Sequence, residues 1–227
     1  FKQKTAYEIL SGLVGSEMCI RDRNVLVPSN SMIEELVKYK FKNLKLWNRG
    51  VDTNLFNPIK RNRSDTDIRL TYVGRVAIEK NIKAFLDIKG HYKKTVVGDG
   101  PELKKYINKY PDIEFVGLKT GEELAKYYAD ADVFVFPSKT DTLGNVILES
   151  LASGTPIAAY PVTGPKDILA NTNINSLDEN LEVSIKKALK IKRDDCRKFA
   201  LKLTWEDCTN QYLSFMIDAK TGEPIVY

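Results

Sequence analysis

The chain has 227 residues, 35 Lys and Arg against 30 Asp and Glu, and a formal net charge of +5. So mild a basic excess argues against a dedicated nucleic-acid binder. No apolar run reaches the ~18–20 residues that span a bilayer, so any membrane contact is expected to be peripheral.

Cys19, Cys196 and Cys208 show neither CxxC spacing nor a disulfide framework, which makes a reducing, cytoplasmic setting the default. His91 has no clustered partner for a metal.

The first stretch does not read as protein design. Lys2 to Ile9 (KQKTAYEI) and Leu13 to Arg23 (LVGSEMCIRDR) resemble two translated sequencing-library adapter segments, in the right order and one frame. The apolar run there is too short for a signal peptide and no small-residue cleavage site follows. Residues 1–23 are therefore set aside, and the natural sequence is expected to begin mid-gene near Asn24.

Asn24 to Ser29 reads as a short strand ending in a turn, with Ser31 capping a helix to about Tyr39. Lys45 to Trp47 is a second strand, followed by Arg49-Gly-Val-Asp52 and Leu55-Phe-Asn-Pro58. Lys60 to Asp67 is polar and charged and reads as a linker.

Strand and helix then alternate. Ile68 to Val73 is a strand ending in Gly74-Arg75, and Lys80 precedes a helix from Asn81. Lys94 to Val97 is a strand ending in Gly98-Asp-Gly-Pro101. This is not the GxGxxG fingerprint, because the third glycine and the distal ribose acid are absent. Ile113 to Val116 ends in Gly117-Leu118, and Thr120 with Glu123 suggests a capping box for the next helix. Tyr127 and Tyr128 on that helix read as packing rather than ligand contacts.

Val133 to Phe136 is wholly apolar, the mark of a strand buried on both faces. A polar loop delivers Asp141, Thr142 and Leu143 to a helix beginning near Gly144 and Asn145, with Val146, Ile147 and Leu151 inward and Gly154 ending it. Ile157 to Tyr160 follows, then a Gly164-Pro165-x-Asp167 turn. Helices are expected over Asp178–Lys190 and Asp194–Leu203. Thr204 caps a last one carrying Trp205, Cys208, Tyr212 and Phe215 on one face. The alternation gives an α/β fold with a doubly wound, Rossmann-like parallel sheet.

Two carboxylates, Asp141 and Glu149, bracket a helix start with seven residues between them. With the small-x-Gly-x-Pro turn that follows, this resembles the donor-site signature of the retaining, nucleotide-sugar-dependent glycosyltransferases of family 4, which have the GT-B fold. Gly74-Arg75, four residues, Lys80 resembles the phosphate-binding signature of the same family. The chain departs from it in having Asp first where Glu is commoner, and Leu143 where Phe is commoner.

The resemblance implies that residues 24–59 are the end of an N-terminal acceptor domain and its crossing segment. It assigns 60–203 to the donor-binding domain and 204–227 to a final helix and tail. Arg75 and Lys80 would hold the diphosphate, Glu149 the ribose hydroxyls and Asp141 the sugar. Backbone at Thr142, Leu143, Gly144 and Asn145 would add helix-dipole stabilisation, Gly74 and Gly98 would allow close approach, and Val116, Gly117 and Leu118 would meet the base.

No metal or separate cofactor is expected, with a GDP- or UDP-linked sugar as substrate. The sugar would be of the mannose or glucose type. Its acceptor would be a glycan, lipid or polyol, bound mostly by the other domain, and this piece alone would be inactive. Two alternatives stay open: a GT-B nucleotide-sugar epimerase, and a binding domain without catalysis.

Overall fold

A computed structural model describes residues 24–140 and 144–216. The adapter-like residues 1–23, the expected site residues Asp141, Thr142 and Leu143, and the tail from 217 lie outside the described residues. The chain divides into two compact units, Arg49–Cys208 and the residues on either side of it.

In the smaller unit, β1 (Val25–Val27) pairs in parallel with β2 (Leu44–Leu46), joined by helix α1 (Asn30–Lys38). Ser29 caps α1, not Ser31: it holds the extended conformation and its hydroxyl accepts from the Met32 N–H at 3.3 Å.

The larger unit is a five-stranded, all-parallel sheet. Its first elements are β3 (Arg69–Val73), α2 (Ile82–Leu86), β4 (Lys93–Val97), α3 (Leu103–Lys109) and β5 (Glu114–Gly117). Then come α4 (Gly121–Asp130), β6 (Val133–Phe136), α5 (Asn145–Ala152) and β7 (Ile157–Ala159). Helices α6 (Pro165–Leu169), α7 (Leu181–Ala188) and α8 (Arg193–Ala200) follow, and α9 (Trp205–Ser214), whose later residues belong to the smaller unit, is the last described helix.

Strand order is β5-β4-β3-β6-β7. The chain runs outward from β3 to β5, returns to place β6 on the other side of β3, and continues to β7. Each crossover is long enough for a helix, as parallel pairing requires. The order reverses between β3 and β6, and ligands of such sheets collect outside the carboxyl ends of the strands near that reversal.

Layered packing follows from the strand sequences. Every residue of β6 and β7 is buried, so both sheet faces must be covered by helices. Phe134, Ile147, Leu151, Ile157 and Leu169 form the core of one layer, and Leu70, Ile82, Phe85, Val96 and Ile185 that of the other. Each such side chain contributes roughly 1.5–3 kcal/mol by leaving water.

Two expectations are corrected in detail. Thr120 precedes α4 but makes no side-chain cap bond, since Gly121 enters the helix with φ 54° and Glu123 turns to Lys119 instead. The stretch 60–67 is docked rather than a solvated linker. Arg61 donates to Asp132 (2.8 Å) and to the Ala129 and Ala131 carbonyls, and Arg63 donates to the other Asp132 oxygen (2.7 Å).

Arg193 reaches the same two carbonyls from α8, at 2.8 and 2.7 Å. Helix α4 carries no basic residue in its last turn, so these arginines supply the positive charge its C-terminus favours. Burial, and then the nearby charge of Arg61, bring the Arg193 guanidinium down to about 10.

Val51 and Phe56 are buried with this core, and Arg197 ties their loop down by donating to the carbonyls of Phe56 and Thr53. Thr204 caps α9 as expected, accepting from the Asp207 N–H at 3.0 Å. Of the expected apolar stripe on α9, Cys208 is buried, while Trp205 and Tyr212 stay largely exposed. Tyr212 packs beside Trp47 with ring centroids 5.4 Å apart.

Candidate functional site

Three parallel strands end side by side, each at or just before a glycine. Gly74 N–H donates to the Val97 carbonyl (3.0 Å) and Gly98 N–H to the Gly117 carbonyl (2.8 Å), so the strand ends stay stitched past the ladder. Gly74 has φ 151°, Gly98 142° and Gly117 72°, all in the region that disfavours a side chain. The loops beyond them therefore turn sharply and leave a cleft of about 370 Å³ at the carboxyl ends of the strands.

Val73 and Val97 form the apolar floor of this cleft. Arg75, Asp99 and Lys119 bring charge from the three loops, Leu118 adds an exposed apolar edge, and Val146 and Glu149 come from α5. Two cations, two carboxylates and an apolar edge suit a ligand with an anionic part, hydroxyl donors and a flat apolar part.

Among the described residues, Arg75 pairs with the exposed carboxylate of Glu79, at 3.4 Å, and surface pairs of this kind contribute little. Its guanidinium is therefore cheap to redirect onto a phosphate, whose oxygens match its planar fork. Lys80 is half-buried at the end of the 3₁₀ turn Ile78–Lys80, beside the cleft rather than in its lining. Asn81 follows in the left-handed conformation, φ 50°, and its amide donates to the Pro137 carbonyl at 2.9 Å. That bond ties the loop after β3 to the loop after β6.

Helix α5 begins at Asn145 after Gly144, which has φ 73° and gives no side-chain cap. Glu149 lies one turn in, and its Oε2 accepts from the Tyr128 hydroxyl at 2.9 Å. Burial raises the Glu149 carboxyl above its ordinary value, and the Tyr128 hydrogen bond opposes that shift in part. Among the described residues, no three His, Cys, Asp or Glu side chains come together as a metal site would require.

The family model for glycosyl transferases group 1 matches residues 67–202, the sheet and the loops that form this cleft. The chain belongs to that family. An Arabidopsis thaliana sulfoquinovosyl transferase is 36% identical over 163 residues, covering 63% of this chain and 32% of that protein. A Corynebacterium glutamicum GDP-mannose-dependent alpha-mannosyltransferase is 36% identical over 170 residues, covering 70% of this chain and 40% of its own length. The match thus spans well under half of these relatives.

Among solved structures, a Thermosynechococcus elongatus sucrose-phosphate synthase superposes with a TM-score of 0.72 at 22% identity, over 93% of this chain and 62% of that one. Anabaena HepE in complex with UDP and glucose gives 0.70 at 14% identity, over 92% and 66%. The shared architecture is the GT-B fold, of which the sheet described here corresponds to the C-terminal, Rossmann-like half. These relatives do not favour an epimerase.

Of the residues expected from sequence, the cleft brings together Gly74, Arg75, Gly98, Leu118 and Glu149. Val116, Gly117, Gly144 and Asn145 flank it on β5 and at the α5 start, outside the lining itself. Lys119 and Asp99 were not foreseen, although each directly follows an expected residue, and the step from strand end to loop was the available signal. Tyr128 packs as expected between aromatic rings, but its hydroxyl also touches Glu149, which no spacing rule shows.

Proposed function

We propose that this chain is the donor-binding half of a retaining family 4 hexosyltransferase that moves a mannose- or glucose-type sugar from a GDP- or UDP-linked donor to an acceptor hydroxyl. The observation that carries the reading is the cleft beyond β3, β4 and β5, where Arg75 and Lys119 face the same space as Glu149. The named relatives support a hexosyltransferase, and the complex of HepE with UDP and glucose supports a nucleotide-sugar donor.

In this reading the diphosphate lies against Gly74 and Arg75, with Lys80 swinging in from its turn. As the glycosidic bond breaks, negative charge grows on the leaving diphosphate, and these cations stabilise it. The uncapped start of α5 adds its dipole. Glu149 accepts hydrogen bonds from the ribose hydroxyls and Asp141 from the sugar, while the base lies along Val116 to Leu118. The acceptor hydroxyl attacks from the face the diphosphate leaves, and a departing phosphate oxygen takes its proton, which retains configuration. The basic groups neutralise the diphosphate without a metal.

The acceptor, a glycan, lipid or polyol, would be held mainly by a further domain of the whole protein, one that touches a membrane only at its periphery in the cytoplasm. Calorimetric titration of the chain with GDP, UDP and the corresponding nucleosides tests the donor site. The diphosphates are expected to bind at least tenfold more tightly than the nucleosides, and equal affinities would overturn the assignment. A product assay with sugar nucleotides is expected to show no transfer by residues 24–227 alone, and transfer would remove the need for the further domain.

A further inference from the structure

Tyr128 is fully buried, yet it ends in a polar group next to the cleft. Its ring stands edge-on to Phe56 at 5.7 Å between centroids and to Phe134 at 5.5 Å. Its carbonyl accepts from the Thr155 hydroxyl at 2.6 Å. Helix, strand and crossing loop together leave the ring no second position, so the hydroxyl is a fixed donor. Among the described residues it is the one side-chain partner of Glu149.

A phenylalanine would fill the same space without bringing a hydroxyl out of water. The useful product of the hydroxyl is therefore its effect on the carboxylate. We propose that Tyr128 is a positioning residue for Glu149: it fixes Oε2, sets the plane of the carboxylate, and leaves the other oxygen for the ribose of the donor. The proposal rests on Glu149 binding the nucleotide. It adds a residue from α4, an element that otherwise supplies only packing to the site.

The hydrogen bond also favours the charged carboxylate against the burial that disfavours it. Burial, reinforced by the charge of Glu149, holds the Tyr128 phenol well above its ordinary value, so it remains a donor at neutral pH. Arg75, Asp99 and Lys119 are the other charged groups that line the cleft with Glu149.

The test uses the full chain, Tyr128→Phe, Glu149→Gln and the double variant. UDP and GDP affinities are measured from pH 5 to 8, and the Glu149 carboxyl is followed by carbon NMR, assigned by its loss in Glu149→Gln. Tyr128→Phe is expected to weaken the nucleotide that binds on the order of tenfold and to move the acid limb of binding and the carboxyl midpoint to higher pH. In the Glu149→Gln background it should add little. An unchanged midpoint and unchanged affinity in folded Tyr128→Phe would overturn the proposal. Should neither UDP nor GDP bind the unaltered chain, the donor reading fails, and with it the nucleotide role assigned here to Tyr128, even if the carboxyl midpoint shifts. If Tyr128→Phe does not fold, the ring carbon bearing the hydroxyl decides in the unaltered chain: it should follow the Glu149 titration, and a carbon blind to it refutes the contact.

Discussion

A Cβ placed on Gly98 would lie 1.9 Å from the carbonyl oxygen of Gly74. The two strand ends touch backbone to backbone, and Gly100 repeats the contact against the Val76 carbonyl at 2.4 Å. The Gly-Asp-Gly loop is thus required by the packing of β4 on β3, before any ligand is considered. Gly98→Ala combines a backbone clash with a φ of 142° and is expected to cost roughly 3 kcal/mol or more. Chemical denaturation checks this, and a loss below about 1 kcal/mol would mean that the loops separate easily.

Arg75 can be removed with little structural consequence, because its ion pair with Glu79 is exposed on both sides. Arg75→Ala is expected to leave the melting temperature within a degree or two while weakening GDP or UDP about tenfold or more. The affinity of the bare nucleoside should stay unchanged. Calorimetry on the four combinations of protein and ligand separates loss of a phosphate contact from collapse of the cleft, in which both ligands would weaken together.

Glu149 is held in the folded chain above its ordinary carboxyl value of 4.5, first because of burial. The sign of its effect on stability follows. At neutral pH both folded and unfolded chains carry the charge, and the folded one bears the desolvation; as pH falls through the raised folded value and then the unfolded one, that penalty disappears. Glu149→Gln is therefore expected to raise stability at pH 7 and to give no advantage below about pH 4, while abolishing tight nucleotide binding. Thermal melts at both pH values check it, and a destabilised Gln variant at pH 7 would show that the Tyr128 bond outweighs burial.

Asp132 behaves in the opposite sense. Burial would raise its carboxyl, but the Arg69 N–H, Arg61 and Arg63 together hold it below its ordinary 3.8. Its contribution is full above that unfolded value and is lost as pH falls through the lower folded one. Asp132→Asn should cost roughly 1–3 kcal/mol at pH 7, with the difference from the unaltered chain shrinking below pH 4. Melts across that range provide the measurement.

The sheet was legible because its strands are short apolar runs separated by helical patterns, and Val133 to Phe136 announces a central, doubly covered strand by composition alone. The glycines at the ends of β3, β4 and β5 marked the cleft for the same reason they form it: each stands where a side chain would collide or strain. Contacts between residues far apart in sequence were not legible. Arg61 and Arg63 looked like linker charge, since nothing local says that Asp132 and two helix-end carbonyls wait for them. Tyr128 was read correctly as packing and only half understood, because a buried ring and a polar tip obey different rules.

The reversal of strand order also dictates when the cleft can exist during synthesis. Strands β3, β4 and β5 emerge consecutively and carry Arg75, Asp99 and Lys119 with them. Glu149 arrives only after β6 has left the ribosome and paired with Leu70 and Thr71 of β3. Until then β3 presents an open ladder edge, the kind that captures other chains. A ribosome paused before Val133 would hold a half-built, adhesive cleft; pairing of β6 then covers the sticky edge, and α5 brings the carboxylate afterwards.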